Sequence, residues 1–296
     1  MRGPVFMRWS APLLLSMLLA ACATPQAQLS AAGESVAADS ARDSDASLRV
    51  LTLNVAHARG TGFNQVFQSS ERARSNLDDI ARLIKQQAPD IGSLQEVDRH
   101  SFWNGRFDHV DYLARQGGFQ HSFAGDHMQS MGLNYGTAVV AKLDLQQPRS
   151  FTFEGESSSA SKGFVLSTVR WPGKECVEVD VVSAHLDFTS PQSRREQAAE
   201  MVAVLQERGR PIIIMGDFNS GWGRGNSAVR KLARELNLHS YEPEDRSLVT
   251  IPKFKLRLDW ILVSPEIDFQ NYRVLEQRVS DHLGVVSDLV INRACG

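Results

Sequence analysis

The chain has 296 residues, of which 42% are apolar and 22% charged, with a formal net charge of −2. This suits one large packed domain or two small ones and excludes a disordered or fibrous protein. A near-neutral balance gives no overall attraction to nucleic acid or to an anionic membrane, so contact with either needs a local patch.

Residues 1–21 read as a signal peptide. Arg2 and Arg8 precede the apolar run APLLLSMLLAACA, which is too short to span a bilayer as a stable anchor. Its end, Leu19-Ala20-Ala21-Cys22, resembles the bacterial lipobox. That resemblance implies cleavage before Cys22 and lipidation of its thiol. Ala23, where an aspartate would mark inner-membrane retention, points to the outer membrane of a bacterial cell envelope. Residues 22–47 then form the lipidated cysteine and a tether. They are rich in Ala, Ser and Asp and cannot bury enough surface to order themselves.

Residues 48–296 form the domain. RVLTLNV alternates Leu51, Leu53 and Val55 against Thr52 and Asn54, as a strand does. Leu77, Ile80, Ala81 and Ile84 give an amphipathic helix that stops before Pro89. DIGSLQEV, TAVVAKL, GFVLSTVRW, CVEVDVVSAHL, PIIIMGDF, LRLDWILVS and LGVVSDLVI read as further strands. Ala198, Met201, Val202 and Leu205 mark a second helix; Val229, Leu232, Ala233 and Leu236 mark a third. Many strands with a few helices outside predict an α/β fold of two packed sheets flanked by helices.

Polar residues gather where strands end. Asn54 and Glu96 end the first two strands; His185 and Asp187, then Asp217 and Asn219, end later ones; Asp281 and His282 precede the last. Burying an uncompensated carboxylate is costly, so packing alone does not explain this concentration. His100, His109, His121 and His127 read mostly as loop or surface residues, with His127 in a glycine-containing loop near the site. Phe102, Trp103 and Phe107 read equally as a substrate wall or a satellite core.

The segments LTLNV, LQEVD, SAHLD, GDFNS, LDWILVSP and SDHLGVV, in this order, resemble the endonuclease/exonuclease/phosphatase family over residues 49 to 292. Gly284 stands where that family usually has proline. The resemblance implies a four-layer α/β/β/α sandwich with mixed sheets, and a Mg²⁺- or Mn²⁺-dependent phosphoesterase. Asn54, Glu96 and Asp281 are the expected metal ligands, hard oxygen donors suited to such ions. His185, Asp217, Asn219, Asp259 and His282 are the expected catalytic set. His282 would face phosphate with Asp259 on its other nitrogen, and either Asp217 or the Asp259–His282 pair would be the base.

Two further expectations come from the residues. Lys253, Lys255 and Arg257 share a period of two with Asp259; on one strand they would form a cationic ladder that binds substrate. Cys176 and Cys295 lie on strands that run to the pole opposite the site and would pair as a disulfide. Function then reads as a monomeric, membrane-tethered phosphodiesterase acting on a lipid or glycolipid phosphate. A secreted nuclease is the alternative, a phosphomonoesterase stays open, and a noncatalytic module on the same fold comes last.

Overall fold

The computed structural model describes residues 47–295 apart from 63, 65, 67, 131, 155–160, 224 and 226. The expected signal peptide, Cys22 and the tether through residue 46 lie outside the described residues.

Eleven strands among the described residues make two sheets. The first has the order β10-β11-β1-β2-β4-β3, built from Ile267–Val274, Val285–Ile291, Ser47–Asn54, Ile91–Asp98, Leu133–Ala141 and His121–Ser130. The second has the order β5-β6-β7-β8-β9, from Gln146–Thr152, Gly163–Trp171, Lys174–His185, Ile212–Asp217 and Asp259–Val263. Only β1 with β2 and β7 with β8 run parallel; the other pairs are antiparallel.

Alternation along each strand builds the layers. On β1, Leu48 and Val50 join Val165, Val179, Ile213 and Ile261 in the core between the sheets. Leu51 and Leu53 face the other way, onto helix α1 (Ser70–Gln87) and helix α2 (His109–Gly117). Helix α3 (Pro191–Leu205) and helix α4 (Ala228–Glu235) cover the outer face of the second sheet through Ala198, Met201, Val229 and Leu232. The result is the expected helix–sheet–sheet–helix sandwich. All three cores lie between Leu48 and Ile291, so the unit that begins at Ala41 has a complete core of its own.

Strands β3, β5 and β10 and helix α2 carry no strong periodic signal. His121–Ser130 and Gln146–Thr152 are sheet edges with mixed exposure, where one-sided solvent contact blurs alternation. The predicted segment LRLDWILVS is a strand only from Asp259.

Cys176 and Cys295 are joined as a disulfide, with Cα atoms 5.7 Å apart. It ties the start of β7 to the end of the chain, across a sequence separation of 119 residues. Cys176→Ser is expected to cost about 2–4 kcal/mol of unfolding free energy, the usual loss for a native cross-link. Urea titration of oxidised protein and variant checks this; equal midpoints would contradict it.

Candidate active site

Sheet register brings the site together. Across the second sheet, His185 of β7 is paired with Asp217 of β8, and Asp217 with Asp259 of β9. Register neighbours project to the same face. Here that face is the inner one, since Val181, Ile213, Met215 and Ile261 on the same alternation fill the inter-sheet core. Asn54 of β1 continues the inner face of the opposite sheet, below which Thr52, Ser93, Gln95 and Ser183 form a buried polar row linking the sheets. The cleft therefore opens at the strand ends, with both sheets contributing.

Glu96 reaches this cleft through an irregularity. On β2, Gln95 pairs with Thr137 and Val97 with Gly136, so Glu96 is an extra residue, with φ of 53°. Such a bulge re-aims a side chain that regular alternation would send to the outer face. Ala56, His57 and Ala58, directly after β1, are also left-handed, at φ of 50°, 51° and 57°. Each costs on the order of 1–2 kcal/mol in a residue with a Cβ, and such strain collects at functional sites.

Asp259 and His282 form the tightest pair. His282 Nδ1 lies 2.9 Å from Asp259 Oδ2, and Nε2 lies 3.6 Å from Asp217 Oδ2. Burial opposes a charge on His282, but the carboxylates of Asp259 and Asp217 outweigh it and raise its pKa to about 10. Asp217 is pushed up to about 7 by burial and by Asp259, while His282, the Asn219 N–H and the Asn54 amide pull the other way. Asn54 Nδ2 donates to Asp217 Oδ2 at 3.1 Å, and its Oδ1 accepts from the Ala56 N–H.

His185 is the neutral member. Burial and the adjacent Lys162 hold its pKa well below the usual imidazole value. Lys162 Nζ lies 3.3 Å from its Nδ1; its Nε2 lies 3.3 Å from Asn219 Nδ2, 3.5 Å from Asp217 and 3.9 Å from Glu96. Asn219 (φ 47°) donates through Nδ2 to the Leu186 carbonyl. Asp187, by contrast, accepts from Thr189 and Ser190 and shapes the turn into α3.

Around Glu96 the charge balance reverses. Burial opposes its ionisation, yet His57, Lys162, His185 and Arg59 together hold its pKa well below the carboxylate range. Arg59 bridges Glu96 Oε2 at 3.3 Å and Asp281 Oδ2 at 2.5 Å. Two hard carboxylates sharing one cation is the electrostatic demand that a divalent ion meets, so Glu96 and Asp281 fit the expected metal. The three ligand atoms that approach within 4.8 Å of one another belong instead to Asp217, Asp259 and His282. Within that trio His282 and Asp259 are hydrogen-bonded, and Asp217 Oδ2 stands 3.6 Å from His282 Nε2.

Several expected residues fall elsewhere. The cationic ladder does not form: residues 252–255 are a turn closed by an Ile251–Leu256 bridge, and Lys255 has φ of 53°. Arg257 is buried, donates to the Tyr241 and Glu242 carbonyls and the Tyr272 hydroxyl, and lies over the Trp260 ring. It supports the β9 entry and is not free for phosphate. His127 sits inside β3 between the hydroxyls of Thr137 and Thr152, with Gly125, Gly136 and Gly163 against its ring. Burial lowers its pKa to about 3, so it is a core residue. His109 is buried at the start of α2.

The sequence reading overlooked His57, Arg59, Asp98 and Lys162. His57 Nδ1 lies 2.9 Å from the buried Asp98, which also accepts from Trp103 and Asn104; its Nε2 faces Glu96 at 3.5 Å. The signal for Asp98 stood in the segment LQEVD. For Lys162 none did, since its cleft position depends on the β6–β7 pairing.

A family model described as the Endonuclease/Exonuclease/phosphatase family matches residues 51–282. No curated protein matches the sequence significantly. Among solved structures, an endonuclease/exonuclease/phosphatase from Beutenbergia cavernae is similar at 22% identity and a TM-score of 0.68, over 84% of this chain and 72% of that one. The human Nocturnin catalytic domain with bound sulfate is similar at 21% identity and a TM-score of 0.63, over 83% and 95%. A beta toxin from Staphylococcus aureus gives 16% identity and a TM-score of 0.56, over 81% and 99%.

Two outcomes follow from the geometry. Activity on a soluble phosphate ester is expected to rise with pH through about 7, as Asp217 ionises, and to hold until His282 loses its proton near 10. A profile that falls just above neutrality would contradict this. Asp98→Ala removes the acceptor that orients His57 and is expected to lower kcat/KM by roughly 10-fold or more, as lost outer hydrogen bonds to site ligands do. Steady-state kinetics on the folded variant measure it.

Proposed function

The chain belongs to the endonuclease/exonuclease/phosphatase family, whose members hydrolyse phosphate esters, and from that premise we propose that it is a metal-dependent phosphodiesterase acting on a lipid or glycolipid phosphate at the bacterial cell envelope. The observation that carries the chemistry is one cleft holding a charged His282, a neutral His185 and an Asp217 with a raised pKa beside the Glu96–Asp281 carboxylates.

Attack on a phosphodiester adds negative charge to its non-bridging oxygens. Charged His282 donates to one of them from Nε2, with Asp259 holding the ring. The His185 ring and the Asn219 amide lie at the same rim. Asp217 takes the proton of the attacking water; a carboxylate with a pKa near neutrality is matched to that task. Glu96 and Asp281, with Asn54 adjoining, would hold a Mg²⁺ or Mn²⁺ ion, which when bound supplies Lewis-acid stabilisation of the phosphoryl oxygens. Lys162 and Arg59 bring fixed positive charge to an anionic substrate.

The envelope location and lipid anchor rest on the Leu19-to-Cys22 segment, and the lipid substrate follows from an enzyme tethered at a membrane. A nuclease is the second reading. It would draw on a cavity of about 960 Å³ on the α3–α4 side, away from the cleft residues, lined by Arg195 and Arg230 and by Lys231 and Arg234, which pair with Glu235. Nucleic-acid binding there would weaken steeply with salt.

Hydrolysis is expected to stop in EDTA and to return with Mg²⁺ or Mn²⁺; full activity in chelator would refute the mechanism. Glu96→Ala is expected to raise the metal concentration needed for half-activity. Asp217→Ala and His282→Ala are expected to cost roughly 100-fold or more in rate. Assays on sphingomyelin, phosphatidylinositol phosphates, bis-p-nitrophenyl phosphate and plasmid DNA separate the substrate classes; cleavage of DNA alone would reject the lipid reading.

A further inference from the structure

Five large apolar side chains are substantially exposed among the described residues: Val66 (50%), Phe102 (49%), Phe188 (62%), Phe254 (63%) and Leu256 (37%). Topology puts all five at the end of the domain that carries the cleft. Val66 is in the connection that leaves β1 after Asn54. Phe102 follows β2 and Glu96, and Phe188 follows β7 and His185. Phe254 and Leu256 sit in the tight turn just before Asp259 opens β9. Single exposed apolar residues scattered over a surface need no explanation, but a set confined to one end marks an interaction face.

Charge accompanies them. Lys253 and Lys255 are exposed on either side of Phe254, and Lys253 Nζ stands 5.4 Å from the Phe254 ring. Lys162 Nζ stands 5.9 Å from the Phe188 ring but is itself buried in the cleft beside Glu96 and His185. Lysine ion pairs among the described residues are those of Lys142, Lys162 and Lys231; Lys253 and Lys255 make none, though Lys255 shares a pocket with Glu244 and Asp245.

We propose that this rim docks on the surface of an anionic phospholipid bilayer. Phe254 and Leu256 enter the interfacial layer, and Lys253 and Lys255 contact lipid phosphates. The five side chains are spread over four separate connections, with Phe254 and Leu256 together on one turn. A fluid interface asks for no shape match. It takes apolar side chains at the depth of the acyl boundary, and it takes flanking lysines whose stems lie along the apolar layer while their ammonium groups stay at the phosphates. The proposal deepens the lipid-phosphodiester reading, because it puts the mouth of the cleft against the layer that holds the headgroups.

The test uses the chain from Ala41 to Gly296, which lacks Cys22 and has its whole core. Its probes are vesicles of phosphatidylcholine with and without phosphatidylglycerol. Sedimentation is expected to show binding to the anionic vesicles that weakens with salt. Lys253→Gln with Lys255→Gln should weaken it about 25-fold, at about fivefold per lysine. Phe254→Ser should weaken it roughly tenfold or more, with hydrolysis of bis-p-nitrophenyl phosphate unchanged. Absent vesicle binding, or equal binding by the Phe254→Ser variant, overturns the proposal. Duplex DNA that displaces the protein from vesicles and is itself weakened by the same substitutions also overturns it. Docking that behaves as expected without cleavage of any lipid upholds the surface and rejects the lipid-substrate reading. Lipid cleavage without docking does the reverse.

Discussion

The site depends on one electrostatic constraint: carboxylates buried at strand ends are stable only beside compensating cations. Asp259 is fully buried and faces the His282 ring at 2.9 Å. Without that partner the carboxylate would bear an uncompensated desolvation cost. The same bond makes His282 a cation at neutral pH, aimed by a strand-anchored acid. Structural necessity and phosphate recognition are thus met by the same pair. Around Glu96 the relation is mirrored, with one carboxylate surrounded by Arg59, Lys162 and two imidazoles.

Backbone geometry meets a related demand. A regular β2 would aim Glu96 at helices α1 and α2; the bulge turns it into the cleft. The run of left-handed residues from Ala56 to Ala58 carries His57 to Asp98 on one side and Glu96 on the other. Each distortion has an unfavourable local conformation that the surrounding hydrogen bonds offset. Asp98 is central to that support, since it accepts from His57, Trp103 and Asn104 while fully buried.

Much of this was legible in the sequence because buried strands and amphipathic helices leave periodic traces. The alternation in LTLNV and the spacing of Leu77, Ile80 and Ile84 reported layers correctly. Polar residues at the ends of such runs located the rim. Residues whose roles depend on tertiary placement left no trace: Lys162 owes its position to the β6–β7 register, and His57 to a strained turn. The cationic ladder failed for a definite reason. Period-two spacing was taken for a strand, but Pro252 and the Ile251–Leu256 bridge make a turn there. Arg257 then spends its guanidinium on two carbonyls and a tyrosine hydroxyl. Burial likewise decided His127, whose glycine neighbours had suggested a loop.

The central claim is that His282 is a cation held by Asp259 and Asp217 across the working pH range. An NMR titration of the His282 ring nitrogens, in the native protein and in Asp259→Asn, tests it directly. The account predicts a ring that stays doubly protonated from neutrality up to about pH 10 in the native protein and titrates lower in the variant. A His282 that is already neutral at neutral pH, or whose titration ignores Asp259→Asn, would contradict it.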